Sequence, residues 1–116
     1  MGRIQGDLLE RTTCFAEQVV LSMDLLPNNV KGWEIGRQLL RSGTSIGANV
    51  REAHHALTDS DFAHKCSVAR KEASETQYWL ELCKRTKLMT GEKADVLWKE
   101  VDELVRILLT IVRGTQ

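Results

Sequence analysis

The sequence is poor in proline and in aromatic residues, and it carries no excess of either charge. Its 116 residues include one proline, 5% aromatic residues and no net charge, because sixteen basic side chains balance sixteen acidic ones. A neutral chain lacks the basic excess of a constitutive nucleic-acid or membrane-surface binder. No apolar run approaches the ~18 residues of a membrane-spanning helix, and residues 1–7 lack the apolar core of a signal peptide. We therefore expect one cytoplasmic domain, residues 1–116, with no membrane partner.

Cysteine is also scarce. Cys14, Cys66 and Cys83 are odd in number and form no CxxC pair. This pattern argues against a disulfide scaffold and against a structural zinc site, both of which need more cysteines at closer spacing. We expect three small thiols, buried or half-buried, in a reducing compartment.

Strand signals are missing as well, since no useful stretch alternates apolar and polar residues. Turn signals at Pro27, residues 58–61 and Gly91 divide the chain into four segments whose apolar residues recur at three- and four-residue spacing. The predicted helices span residues 7–26, 30–57, 60–88 and 91–113. Four amphipathic helices joined by short turns predict an all-α fold, an antiparallel up-down-up-down four-helix bundle.

Some helices carry more apolar residues than a single core-facing stripe, or seam, requires. The consecutive residues Val96, Leu97 and Trp98 give the fourth helix an apolar surface wider than a single seam, and Trp33 and Trp79 lie beside the seams of their helices. A wide stripe can bury against two neighbouring helices, or it can form a second face used for self-association. We favour self-association.

The second helix contains an unusual run of small and polar residues. Gly43 and Gly47 share one face, where each costs about 1 kcal/mol relative to alanine, so we interpret them as room for a closely approaching helix. Polar residues also lie on this seam, and buried polar groups need partners. We predict a hydrogen-bonded layer between helices two and three that fixes their register. Its predicted members are Arg41, Ser42, Ser45, Asn49, Glu52, Glu72, Glu75 and Thr76.

Residues suited to catalysis are few. Glu52 and His55 share the Glu-x-x-His spacing of di-iron bundles, and Glu72 and Glu75 would complete a set of ligands. Di-iron bundles use two such motifs and this chain has one, so we predict no metal, no cofactor and no enzymatic activity. A metal-dependent enzyme in the bundle core is the distant alternative. No nucleophile constellation and no phosphate-cradling glycine loop is present.

One string carries a family resemblance. Arg-Ser-Gly-Thr-Ser-Ile-Gly-Ala-Asn at 41–49, with residues 61–62, 71–76 and 78–80, closely resembles proteins encoded by intervening sequences in large-subunit ribosomal RNA genes of bacteria. The resemblance covers nearly the whole chain. It implies an antiparallel four-helix bundle that assembles as a ring-shaped homopentamer of unknown general function. A related branch, the accessory variability protein of diversity-generating retroelements, is strongly basic and binds nucleic acid, whereas this chain is neutral.

These observations predict a non-enzymatic homopentamer that acts as a binding or scaffolding module, with itself and an unknown protein or RNA as partners. The alternative is an RNA-binding accessory protein. Its contacts would be the one local basic cluster, Lys84, Arg85 and Lys87, at the end of the third helix. Fivefold symmetry would repeat that cluster into a basic ring, although a helix end also favours basic residues for its own dipole.

Overall fold

The computed structural model describes residues 2–116. Four long helices and one short 3₁₀ turn account for most of them, and no strand occurs among the described residues. In chain order, the elements are α1 (Gly6–Ser22), the 3₁₀ turn (Met23–Leu25), α2 (Val30–His54), α3 (Asp59–Arg85) and α4 (Gly91–Gly114). The predicted all-α fold is confirmed.

Neighbouring helices run antiparallel, and the direction can be read from paired contacts. Arg11 of α1 bonds to Glu100 of α4, whereas Gln18, later in α1, bonds to Lys93, earlier in α4. The same inversion relates α2 to α3 and α3 to α4. The bundle is 44 Å long and about half as wide, with extents of 44 × 21 × 19 Å.

One apolar core runs through the bundle and follows the predicted seams. Each helix contributes side chains that are almost completely removed from water, and burying each large one stabilises the fold by about 1.5–3 kcal/mol. The largest of them are Phe15 and Val19 from α1, Leu39, Ile46 and Val50 from α2, Leu80 from α3, and Leu97, Val101, Leu104 and Leu108 from α4.

Side-chain caps fix where three of the helices begin. Asn29, Thr58 and Thr90 each accept a hydrogen bond from the backbone N–H three residues later. Such a cap satisfies one of the unpaired donors in the first turn and contributes about 0.5–2 kcal/mol relative to alanine. Each short turn is therefore followed by a helix whose first residue the sequence specifies.

The first three helices end about one turn before their predicted limits of Leu26, Leu57 and Leu88. Leu26 and Leu88 still pack against the core from the turns, so the apolar pattern continues past the last helical residue. Before Leu88 the chain reverses because Lys87 adopts a left-handed backbone conformation with φ 60°. Leu57 is 93% exposed, and nothing in the structure explains its place in the pattern.

Two glycines of α2 allow α1 to approach closely. A β-carbon at Gly43 would lie 2.9 and 3.0 Å from the γ-carbons of Val19, which is fully buried. A β-carbon at Gly47 would lie 3.3 Å from the carbonyl oxygen of Thr12. The two glycines therefore remove side chains at the points where α1 meets the backbone of α2.

We expect Gly43→Ala to lower the free energy of unfolding by about 1 kcal/mol. The added methyl overpacks against a stiff β-branched side chain, which costs about 1–3 kcal/mol, and better helix propensity returns only about 1 kcal/mol. Urea denaturation followed by circular dichroism measures the change. The control is Gly114→Ala, whose β-carbon meets nothing within 4 Å. Equal or higher stability of Gly43→Ala would contradict the close-contact interpretation.

Candidate functional site

The centre of the α2–α3 contact is a pair of buried hydroxyl groups. Ser42 and Thr76 are both fully buried, and their oxygens lie 3.0 Å apart. The Thr76 hydroxyl also lies 2.7 Å from the carbonyl oxygen of Glu72 in its own helix. Each hydroxyl thus has a partner, as buried polar groups require, and the pair sets the register of α2 against α3.

An ion network closes this layer towards solvent. Arg41 bonds to Glu72 with a separation of 3.0 Å and also to Glu75, both on α3. The guanidinium is about half exposed, so water screens the network and its contribution is that of a surface salt bridge, about 0–1 kcal/mol for each pair. Its role is to orient α2 and α3 more than to stabilise them.

The layer is narrower than the sequence predicts, because two of its predicted members bond back within α2, while a third, Glu52, does reach α3 but pairs there with Lys65, outside the predicted set. Ser45 donates to the carbonyl of Arg41, and Asn49 donates to the carbonyl of Ser45, both within α2. Short polar side chains in helices commonly bond back to the preceding turn. Glu52 pairs with Lys65 at 2.9 Å, and this hydrogen bond raises the pKa of Lys65.

The carboxylates of the metal alternative are engaged in the same ion pairs. Glu72 and Glu75 face Arg41, and Glu52 faces Lys65. No three potential ligands lie close enough together to hold a metal ion in the part of the chain that the structure describes. Each of these carboxylates is therefore already paired with a basic side chain of the same protein, Arg41 or Lys65.

The three thiols occupy two kinds of environment. Cys66 and Cys83 are buried, and burial raises the pKa of each to about 11. Cys14 is exposed on α1, which corrects our expectation of a buried or half-buried thiol, and its hydrogen bond to Glu10 raises its pKa. Because the thiolate is the reactive form, all three are poor nucleophiles at neutral pH.

The basic cluster at the end of α3 is partly neutralised. Lys84 pairs with Asp95 of α4 at 2.8 Å, and Arg85 lies 3.9 Å from Glu81. Lys87 is exposed in the turn, and no carboxylate of residues 2–116 lies within 4.0 Å of its amino group. Of the three predicted contacts with nucleic acid, two therefore already bond to carboxylates of the same chain.

A shallow groove between α3 and α4 adjoins this cluster. Its lining combines basic, acidic and apolar side chains, namely Leu80, Glu81, Lys84, Arg85, Ala94, Asp95, Trp98 and Lys99. Trp98 is 36% exposed, although it belongs to the wide apolar stripe of α4. The groove thus presents one aromatic ring among charges of both signs.

Exposed large apolar side chains are unevenly distributed along the bundle. Nine of the ten lie in the half that contains the α1–α2 and α3–α4 turns, and the tenth, Leu57, lies at the opposite end. The nine are Val20, Leu21, Leu25, Val30, Trp33, Leu40, Tyr78, Val96 and Trp98. Scattered exposed apolar residues are normal on monomers, but a concentration of this kind marks a contact surface.

Two members of this set line a second open groove, between α2 and the segment that connects α1 to α2. Trp33 and Leu40 are 55% and 36% exposed and share the groove with Met23 and Leu26. We call these four residues the α1/α2 patch. In the α3/α4 groove the exposed apolar surface is the ring of Trp98, since Leu80 and Ala94 line the groove but are buried, and we call that ring the α3/α4 patch. The sequence pointed to Trp33 and Trp98, but it missed Leu40, which lies two turns after Trp33 on α2 and lines the same groove.

Fold and surfaces together define an antiparallel four-helix bundle with a closed polar layer and two apolar patches. The chain belongs to the 23S rRNA-intervening sequence protein family, whose model matches residues 6–110. It is similar to a protein of unknown function of the S23 ribosomal protein family from Bacteroides thetaiotaomicron, known from a crystal structure. The two are 40% identical over 90% of this chain and 97% of that one, with a TM-score of 0.85.

These comparisons confirm the family resemblance, and they give no activity. The matched family is described by its genetic location, and the function of the Bacteroides protein is unknown. No curated protein is significantly similar to the chain. Among residues 2–116, none of the helices is long and apolar enough to span a membrane.

We expect Thr76→Val to lower the free energy of unfolding by about 1–2 kcal/mol, because it removes a buried hydrogen bond and leaves Ser42 without its partner across the interface. Asn49→Ala is the matched control on the same seam. Its amide bonds only within α2, so a change of less than about 0.5 kcal/mol is expected. Urea denaturation measures the free energy of unfolding of both variants. Equal losses would show that Asn49 belongs to the polar layer, as the sequence predicts.

Proposed function

We propose that the protein is a non-enzymatic homopentamer that serves as a binding or scaffolding module. The observation that supports this function is the pair of exposed apolar patches on opposite helix pairs of one half of the bundle. A ring requires a head-to-tail contact between two different surfaces of the same chain. The α1/α2 patch of one copy and the α3/α4 patch of the next supply two such surfaces.

Charge also favours this pairing. The α1/α2 groove carries Asp24 and Arg37 at its edge, and the α3/α4 groove carries both acidic and basic side chains. Mixed charges around apolar centres form the polar rim that is typical of protein interfaces. The resemblance to ribosomal RNA intervening-sequence proteins implies the number of copies, and the rest of the bundle surface is left for a partner.

We expect the wild-type protein to elute with five times the 13.1 kDa mass of one chain in size-exclusion chromatography coupled to light scattering. Trp33→Glu and Leu40→Glu should reduce this mass, because each places a charge in the apolar centre of the proposed interface. Leu57→Glu is the matched control, since Leu57 is 93% exposed at the other end of the bundle.

Circular dichroism of the same samples separates loss of assembly from loss of fold. Trp33 and Leu40 are at the surface, so both variants should keep the helicity of the wild-type protein. A wild-type mass of 13.1 kDa at micromolar concentration would end the pentamer proposal. If the pentamer persists in both variants, the α1/α2 patch is not part of the interface.

The second candidate function is RNA binding through the α3/α4 groove. Its support is the juxtaposition of Lys84, Arg85 and Lys99 with the exposed ring of Trp98, since single-stranded nucleic acids are bound by basic grooves with aromatic platforms. Glu81 and Asp95 lie in the same groove and reduce its positive charge. This function and the pentamer compete for Trp98, so a single surface cannot serve both in the same way.

Fluorescence anisotropy with a labelled single-stranded RNA tests the second function, with a structured RNA as comparison. If it is correct, the affinity falls steeply with salt, and replacing Lys84, Arg85 and Lys87 together by alanine abolishes most of it. A variant that replaces Lys31, Lys71 and Arg113 by alanine has the same net charge and is the control. Equal losses in both variants, or no binding at low salt, would exclude the groove as an RNA site.

A further inference from the structure

The residues that precede α1 form a strap over the α2–α3 turn. We call residues 2–5 the N-terminal strap. The backbone N–H of Arg3 donates to the carbonyl of His54 at 3.1 Å, and the N–H of Ile4 donates to the Nδ1 atom of the His54 ring at 3.0 Å. Gly2 lies directly against the same imidazole, where any β-carbon would overlap the ring. His54 therefore contacts three consecutive residues of the strap, Gly2, Arg3 and Ile4.

The Arg3 side chain provides a separate anchor for the strap. Its Nε donates to the carbonyl of Ala56 at 3.1 Å, and its guanidinium pairs with Asp59 at 2.7 Å. The guanidinium also lies over the ring of Phe62, 5.5 Å from its centroid. An arginine keeps its charge at every pH that a folded protein meets, so this anchor persists where Asp59 stays ionised.

The His54 contact differs because it depends on a proton. A ring nitrogen accepts a hydrogen bond only in the neutral imidazole, and both nitrogens are donors once the ring is protonated. With the Ile4 N–H directed at Nδ1, the neutral ring of His54 carries its proton on Nε2. Protonation of Nδ1 would set two N–H groups against each other. Histidine side chains change charge between about pH 5 and 8.

Charged and titratable groups at this end of the bundle lie on all four helices. Arg3 and Asp59 pair with each other, and the ring of His55 packs edge-on against that of His54 with 4.8 Å between centroids. The remaining groups on the converging helix ends are Asp7, Glu10 and Arg11 on α1, Arg51 and Glu52 on α2, Asp61, His64 and Lys65 on α3, and Arg106 and Arg113 on α4. Among the described residues, no carboxylate bonds to the His54 ring. Protonation of the ring and the hydrogen bond from Ile4 to Nδ1 therefore exclude each other, and no ion pair offsets the loss.

The strap covers an apolar surface. Ile4 is only 6% exposed and Leu8 only 7%. Both line a groove of about 540 Å³, in which the strap forms one wall and Phe62, Ile107 and Ile111 form the others. Lifting Ile4 therefore opens the groove and exposes apolar residues of three helices.

We propose that His54 makes the N-terminal strap a pH-sensitive cover of this groove. With a neutral His54 the strap is docked and Ile4 is buried. With a protonated His54 the Ile4 contact is lost, and the strap swings out about its Arg3 anchor.

NMR of the full-length protein tests the proposal. At pH above the histidine range, imidazole ¹⁵N shifts should show His54 as the Nε2–H tautomer. On acidification to about pH 5, hydrogen-exchange protection of the Ile4 amide, corrected for the intrinsic rate, should fall about 3- to 10-fold, as expected for one lost hydrogen bond. Core amides such as that of Leu39 should keep their protection.

Two matched variants identify the responsible group. Asparagine presents an acceptor near the position of Nδ1 and does not titrate, so His54→Asn should remove the pH dependence of Ile4 protection. His55→Asn should leave it as in the wild type. An Nδ1–H tautomer in the wild-type protein, pH-independent Ile4 protection, or a pH dependence that persists in His54→Asn would each overturn the proposal. The tautomer measurement needs no variant, so a poorly folded substitution cannot obscure the answer.

Discussion

The close approach of α1 to α2 is the constraint on which the rest of the bundle depends. Gly43 and Gly47 let Val19 and the Thr12 backbone lie where side chains would otherwise keep the helices apart. Ser42 lies next to Gly43 and faces the other way, where it meets Thr76 of α3. Glycine in a helix interior is unfavourable by itself, and here the packing of a buried valine offsets that cost.

The seams and the turns could be predicted from the sequence because helical periodicity and N-capping residues act locally. The apolar positions at Leu39, Ile46 and Val50 are buried as expected. Helix ends were less predictable, since Leu88 packs on the core from outside the helix and extends the pattern. A pattern of buried residues records contact with the core, and it does not record where the helical hydrogen bonds stop.

The candidate sites illustrate the same limit. Sequence spacing indicates that Ser45 and Asn49 share a seam with Ser42, but it cannot tell whether a hydroxyl bonds across the interface or back to its own helix. The N-terminal strap gave no signal at all, because it has no periodicity and its partner His54 lies about fifty residues away. Long-range pairings of single residues are visible only once the helices have been placed.

The seam between α1 and α4 has a consequence for how the bundle opens. These helices touch far less than α2 and α3 do, and Arg11 joins them through Glu100 and Glu103 at 2.7 and 2.6 Å. Hydrogen bonding to Glu100 raises the pKa of Arg11. A partly exposed ionic seam weakens with added salt, whereas apolar packing does not. Added salt therefore loosens the edge where α1 meets α4, whereas the packing of Phe15 and Val19 still holds α1 in the bundle.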